Sequence, residues 1–282
     1  MAATVISLAM QKGGTGKTVS AVNLAYVLAG MGRRVLLVDL DSQGNATLAS
    51  GIAPQSLLSP QGNRTVWACL KGRFIEMRDG APEARDILLR REWNGAAYDL
   101  LPSTLDLSEA EQVLPTAMGR EKLLGYLLEG VQEEYDVVLL DCLPSLGNLT
   151  VAALTASTYV LVPLEAQHLA LFGMTLLLQT IAQIVRLRVN PRLRVLGLFF
   201  NKVDPRTNQS REVMAEAVRA YGPYGWPLRA TIPANTTISD ATMAGMPVGA
   251  YRANSPGAVA FQQLGNEVLE RLAAQEGGDH AG

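Results

Sequence analysis

The sequence predicts an α/β fold, a doubly wound and mostly parallel sheet flanked by helices, of the P-loop NTPase type. Three observations carry that expectation. Apolar runs of strand length recur at Thr4–Ala9, Arg33–Asp41, Tyr135–Asp141, Thr158–Val162 and Val195–Phe200, and their continuous hydrophobicity suits strands buried on both faces. Helix-period stretches lie between them, and this alternation argues for parallel strands joined by crossover helices. The first run passes directly into Lys12-Gly13-Gly14-Thr15-Gly16-Lys17-Thr18, followed by a helix-period apolar face at Val19, Val22 and Tyr26 with Leu24, Val27 and Leu28. Strand, glycine loop, helix is the order a phosphate-binding loop requires.

Within that loop Gly13, Gly14 and Gly16 let the backbone curl so that successive N–H groups point at phosphate oxygens, and the next helix adds the positive end of its dipole. Thr15 completes the nucleotide-binding set. Lys17 is placed to reach the β- and γ-phosphates, and Thr18 to put its hydroxyl on Mg²⁺. Arg33–Asp41 ends in two carboxylates, Asp39 and Asp41, which a side-chain period of two puts on one side for as long as strand geometry lasts. Tyr135–Asp141 carries an acid at its C-terminal end, and Asp141 is expected to bind Mg²⁺ through water. Ligands of open α/β sheets collect beyond the carboxyl ends of strands, where all three acids stand.

The bulk properties exclude several classes. The 282 residues, 48% hydrophobic and 18% charged, suit a soluble α/β protein. No linker or repeat divides the chain, so a single domain over residues 1–275 is expected, with a disordered tail over 276–282. Gly51–Asn63 and Gly222–Pro227 read as surface loops. No apolar run is long enough to span a bilayer, and Met1-Ala2-Ala3-Thr4 lacks a targeting pattern, so a cytoplasmic location is expected. Cys69 and Cys142 are far apart and lie in no CxxC or Cys/His cluster, which favours reduced thiols. His168 and His280 carry no ligand signature. The net charge of −2 excludes a wholly basic nucleic-acid binder. Its distribution is uneven: residues 1–150 hold 13 Lys/Arg against 17 Asp/Glu, and residues 151–282 hold 11 against 9.

In the loop, Gln11 stands where the general pattern has a glycine, and Lys12 follows it. The resulting K-G-G-x-G-K-T resembles the deviant Walker A motif of the ParA/MinD family of ATPases. Asp39–Thr47 is similar to the family's first switch, D-x-D-x-Q-G-N-x-T. Asp141–Leu146 is similar to its second, D-x-P-P-S-L, with Leu143 in place of the first proline. Val162-Pro163-Leu164, Ala170–Gly173, Val248–Tyr251 and Pro256–Ala258 match further landmarks, so the resemblance spans residues 3–273 and is closer to ParA/Soj than to a generic P-loop protein. It implies a Mg²⁺-dependent ATPase that forms an ATP-dependent sandwich homodimer. By the same resemblance Lys12 reaches the partner's nucleotide, Asp41 positions the attacking water or acts as base, and Asp39 supports the Mg²⁺ shell. A ParB-like partner that stimulates slow hydrolysis, nonspecific DNA as a ligand, and association with the nucleoid are also implied. MinD-like relatives end in a basic amphipathic helix, whereas Glu267–Ala273 here runs into an acidic, glycine-rich end, so no membrane role is expected. The paired cluster-ligating cysteines of the nitrogenase iron protein have no counterpart.

Two features pull against a simple partition ATPase. Asn201-Lys202-Val203-Asp204 matches the guanine-recognition tetrad N-K-x-D, although Val203–Thr207 also resembles the ParA pattern x-Y-D-x-R-T. Asn201 is a candidate for the nucleobase edge in either case, or a loop-capping residue. The segment Ile232–Thr237 resembles I-P-R-N-x-R, but Ala234 and Thr237 replace both arginines, and each lost cation weakens phosphate attraction. Arg186, Arg188, Arg192 and Arg194, with Arg206, Arg211 and Arg219, are the remaining candidates for a DNA-binding surface. A DNA-independent cargo-positioning ATPase and a GTP-dependent, metallochaperone-like switch are therefore the alternatives.

Overall fold

Strands apolar on both sides need cover on both sides, and the computed structural model supplies it. The structure describes residues 3–59 and 63–279. Strand β1 (Thr4–Leu8) enters α1 (Lys17–Gly30) through the glycine loop, and β2 (Val35–Asp39) is followed by a short α2 (Asn45–Ala49). Helix α3 (Val66–Leu70) continues into a π-turn, Lys71–Ile75, ahead of β3 (Leu89–Trp93) and β4 (Ala96–Leu101). Then come α4 (Ala110–Val113), α5 (Leu123–Glu129), β5 (Val137–Asp141), α6 (Asn148–Ala156), β6 (Tyr159–Glu165) and α7 (His168–Arg186). The chain finishes with β7 (Arg194–Val203), α8 (Asn208–Tyr221), β8 (Pro227–Pro233), α9 (Thr236–Met243), α10 (Val248–Tyr251) and α11 (Pro256–Asp279).

The strands form one sheet in the order β3-β4-β2-β5-β1-β6-β7-β8. All neighbours are parallel except β3 and β4. Alternate residues feed opposite layers, as the strand period demands. In β5, Val138 and Leu140 join the core beneath α5, α6 and α7, whereas Val137 and Leu139 join the core beneath α1 and α11. The chain leaves β1 in one direction toward β2 and returns past it from β5 to β6. This reversal of strand order leaves a crevice at the carboxyl end of β1.

All five predicted strands are present with adjusted ends. The second stops at Asp39, so Asp41 lies beyond the strand and not beside Asp39 on one face, as the extended run implied. The antiparallel hairpin β3–β4 and the edge strand β8 add to the predicted set, and the hairpin turns on Asn94-Gly95, a pairing suited to tight hairpins. Both cysteines are buried thiols, and burial pushes each up to about 12. Among the described residues no helix is long and apolar enough to cross a membrane. Residues 60–62 of the loop Gly51–Asn63 lie outside the described residues, as do His280 and the rest of 280–282; α11 continues to Asp279.

Helix α11 closes one layer through Phe261, Leu264 and Val268, all at 0% exposure. Phe261→Ala should cost about 3–5 kcal/mol, the usual effect of emptying an aromatic site in a core that cannot collapse. Urea denaturation followed by circular dichroism checks this.

Candidate nucleotide site

The glycine loop sits in the crevice beyond β1, and its shape depends on one glycine. Gly16, immediately before α1, has φ 84° and ψ 26°, a left-handed conformation that glycine adopts without cost. A side chain there would also run into the Asn201 amide. Asn201 is 4% exposed; it donates from Nδ2 to the Thr15 carbonyl at 3.0 Å and to Ser20 Oγ at 3.3 Å, while its Oδ1 accepts from the Lys202 amide at 2.8 Å. Its amide is thus engaged with the loop, as in the loop-capping alternative, and the residue also lines the cleft beside Gly16. Buried Thr15 turns its hydroxyl onto the Lys12 carbonyl at 3.4 Å.

Lys17 opens α1 and is 6% exposed, with Nζ donating to the Lys12 carbonyl at 3.3 Å. Burial draws its pKa below the usual lysine value, opposed by the charge of Asp141. Asp141 ends β5, is fully buried, and neither carboxylate oxygen has a hydrogen-bond partner among the described residues. Burial raises its pKa well above the ordinary carboxylate range, and the charge of Asp39 adds to the rise. The sheet register sets that neighbour, since Asp39 and Asp141 are paired positions of β2 and β5. Burial also pushes Asp39 up to about 6, against the hydrogen bonds from Thr47 that hold the pKa down.

The two buried acids nevertheless differ. Asp39 accepts from the Thr47 amide at 2.8 Å and hydroxyl at 2.7 Å, and from the Asp41 amide at 3.0 Å. Those bonds fasten Asp39 to the first switch. An orphaned carboxylate beside a half-buried hydroxyl, Thr18, is a hard oxygen donor pair that fits Mg²⁺. No cluster of three metal-ligating His, Cys, Asp or Glu occurs among the described residues. Such a sparse donor set suits an ion that completes its shell with phosphate and water. Asp41, partly exposed, accepts from the Gln43 amide at 3.0 Å and from Asn45 Nδ2 at 3.1 Å, which shapes the switch turn.

Lys12 lies at the loop's rim. Its ammonium pairs with Glu165, at the end of β6, at 3.2 Å and with the Gln167 side-chain oxygen at 2.7 Å. Next to Gly16 opens a cleft of about 620 Å³, lined by Val19, Lys202, Pro233, Ala234, Asn235 and Ile238 among others, with the volume and position of a nucleoside pocket. Asp204 is not among its lining residues. The Arg206 guanidinium beside Asp204, at 2.8 and 2.9 Å, holds that carboxyl down at about 2. The tetrad aspartate is therefore paired with arginine and does not line the pocket.

Residues 3–195 match the family model AAA_31, an AAA domain. The chromosome-partitioning ATPase Soj of Thermus thermophilus is 40% identical over 271 residues, covering 95% of this chain and 96% of that protein. The sporulation initiation inhibitor protein Soj of Bacillus subtilis is 35% identical over 264 residues, covering 94% and 97%. The chain belongs to the ParA/Soj family of ATPases. Among solved structures, cobyrinic acid a,c-diamide synthase from Mycobacterium smegmatis with bound ADP and magnesium is similar at a TM-score of 0.79 and 32% identity, covering 97% and 96% of the two chains. Apo McdA from Cyanothece shares the fold at a TM-score of 0.79 and 21% identity, covering 94% and 99%.

The seven arginines expected on one face of this ParA/Soj chain are divided by the sheet. Arg194 begins β7 and Arg206 follows its end, and a strand of this length separates them by about 30 Å. Arg186, Arg188, Arg192, Arg194 and Arg219 stand at the end of the sheet opposite the loop; Arg206 and Arg211 stand at the loop end, where Arg211 donates to Asn208 at 2.6 Å. Glu165, the partner of Lys12, is the residue the sequence reading misses. Its signal is the same as for Asp39 and Asp141, an acid closing an apolar strand.

Thr47 is the lock of the first switch, since its hydroxyl also accepts from the Ser103 amide at 3.0 Å. Thr47→Val should lower stability by about 1–3 kcal/mol, because two buried polar groups lose their partner. Chemical denaturation of the nucleotide-free protein provides the measurement.

Proposed function

We propose that this chain is a ParA-type, Mg²⁺-dependent ATPase for DNA partition, of a plasmid or a chromosome. Its ATP-bound form is a sandwich homodimer, and hydrolysis stimulated by a ParB-like partner returns it to monomers. The observation that carries the reading is the orphaned Asp141 beside Lys17 beneath a glycine loop. Similarity to the Soj proteins along nearly the whole chain supports the partition role.

In this reading the loop N–H groups of residues 13–18 and the Lys17 ammonium hold the β- and γ-phosphates of ATP. Thr18 and Asp141 hold Mg²⁺, which when bound spreads positive charge over the phosphate oxygens. Asp41 orients a water molecule in line with the γ-phosphorus and takes its proton as the bond to the β-phosphate oxygen breaks. Gly13 and Gly14 are exposed at the loop's outer side, which leaves the site open toward a second subunit. Lys12 leaves Glu165 and neutralises charge on the partner's nucleotide, so ATP itself becomes part of the dimer interface.

Nonspecific DNA is the track this reading assigns to the dimer, with Arg206, Arg211 and exposed Lys202 at the loop end of each subunit as its contacts. A second reading, cargo positioning without DNA, is favoured by the division of the arginines and by the neutral Ala234 and Thr237. Co-sedimentation of the ATP-bound protein with duplex DNA across a salt series separates the two. Retention whose logarithm falls with log salt by about 0.9 per neutralised phosphate supports the track; no retention at low salt selects the second reading.

Lys12→Ala should keep ADP affinity within about twofold and fail to dimerise with a non-hydrolysable ATP analogue, because the contact removed belongs to the partner's phosphates. Light scattering decides, and a normal dimer refutes the role. Asp41→Ala should dimerise with ATP yet hydrolyse it about 10²–10⁴-fold more slowly, the usual effect of losing a positioned base. Phosphate release measures that loss.

A further inference from the structure

A large concavity lies far from the nucleotide site. A cleft of about 1110 Å³ opens at the end of the sheet opposite the loop, between the last turns of α7, α8 and α11 and the first residues of β7. Its walls are apolar and aromatic: Leu178, Ile181 and Val185 from α7 face Tyr221, Tyr224 and Trp226. The Tyr224 and Trp226 rings stack with centroids 4.6 Å apart, yet Tyr224 remains 66% exposed.

The cleft is built into the backbone. Opposite Val160 and Leu161 of β6, strand β7 spends an extra residue, Leu196, so its ladder slips and the Leu196 carbonyl turns out of register. Arg271 of α11 reaches across to it, donating to Leu196 O at 2.9 Å, Trp226 O at 3.1 Å and Pro227 O at 2.7 Å. Gly197 permits this crossing, because a Cβ there would lie 2.9 Å from the Arg271 guanidinium and would collide with Leu228. The Glu267 carboxylate lies 3.9 Å from Arg271 and accepts from the Arg229 and Ala230 amides at 3.0 Å.

Charge completes the description. Arg186, Arg194 and Arg271 line the cleft, and among the described residues no acid lines it, the neighbouring Glu216 acting on Tyr221 from outside the lining; Arg188, Arg192 and Arg219 flank it in sequence. Aromatic and arginine side chains around an open apolar floor are the composition of energetic centres in protein interfaces. A duplex presents phosphates on a convex, hydrated surface and has nothing to place in an apolar recess. An acidic segment with apolar anchors satisfies both floor and rim.

We propose that this cleft is a docking site for an acidic, amphipathic helical segment of a partner protein. Its apolar side chains fill the floor between α7 and Trp226, and its carboxylates meet the arginines at the rim. The site is separate from the nucleotide face, since the two clefts share no lining residue.

The test uses the full chain and four fluorescein-labelled probes. These are a short designed helix with a Leu/Trp face flanked by glutamates, the same helix with lysines in their place, a single-stranded oligonucleotide and a duplex. Fluorescence anisotropy should show the glutamate helix binding at least about tenfold more tightly than the lysine helix. Tyr224→Ala should weaken that binding at least about tenfold, as loss of an aromatic anchor does, with the basal ATPase rate unchanged. Arg186→Glu should abolish the preference for glutamate. Equal binding of the two helices, binding indifferent to Tyr224→Ala, or tighter Tyr224-dependent binding of either oligonucleotide overturns the proposal.

Discussion

Two carboxylates in register at the ends of adjacent buried strands set the terms for this molecule. Asp39 and Asp141 are paired across β2 and β5, both without exposure, and Lys17 is the nearby buried cation. Burial opposes charge on all three. Asp39 is relieved by Thr47, whereas Asp141 makes no well-formed hydrogen bond among the described residues and has only the adjacent Thr18 hydroxyl and the Lys17 charge to offset its burial. A buried carboxylate in that state costs several kcal/mol if ionised and unpaired. The site therefore gains from a cation and a polyanion arriving together, which is the charge pattern of a metal–triphosphate pair.

The same constraint explains why distant segments converge on the loop. A left-handed Gly16 needs its neighbours held, and Asn201 does so through Thr15 and Ser20. That couples the end of β7 to the loop, and Asn201 and Lys202 line the nucleoside cleft together with β8 and α9. Lys12 and Glu165 extend the arrangement to the end of β6. The first switch joins through Asp39, because movement of Asp41 pulls on an amide that Asp39 accepts. Loop, switch and strand ends thus form one hydrogen-bonded unit, and a change at the phosphates has a path to each.

Much of this was legible in the sequence because strong periodicity and the glycine loop are local signals. The five central strands and the pairing of loop with acids follow from residues close together in the chain. What escaped depends on the partner that a side chain finds across the fold. Asn201 read as a base contact or a loop cap because its strand position suits both; only tertiary packing reveals that Thr15 takes its amide. Asp204 read as half of a guanine motif until Arg206, two residues on, claimed it. The arginines were grouped by sequence proximity, yet β7 runs the depth of the sheet and carries Arg194 and Arg206 to opposite ends. The hairpin β3–β4 was missed because β3 is an exposed edge strand with charged side chains, which carries no buried-strand pattern.

The division of the arginines has a structural counterpart in α7. Near its start the helix touches the loop, where Gly173 lies against Met10 and Gln11. Its last turns form a wall of the aromatic cleft. One helix of 19 residues therefore borders both ends of the molecule. A packed helix transmits displacement as a body, since sliding it costs every apolar contact along its buried face. Ala170, Met174 and Leu177 on that face are fully buried. Any rearrangement of the loop that shifts α7 along its axis must also alter the spacing between Val185 and Trp226. The nucleotide end and the cleft end are two boundary conditions on one rigid element.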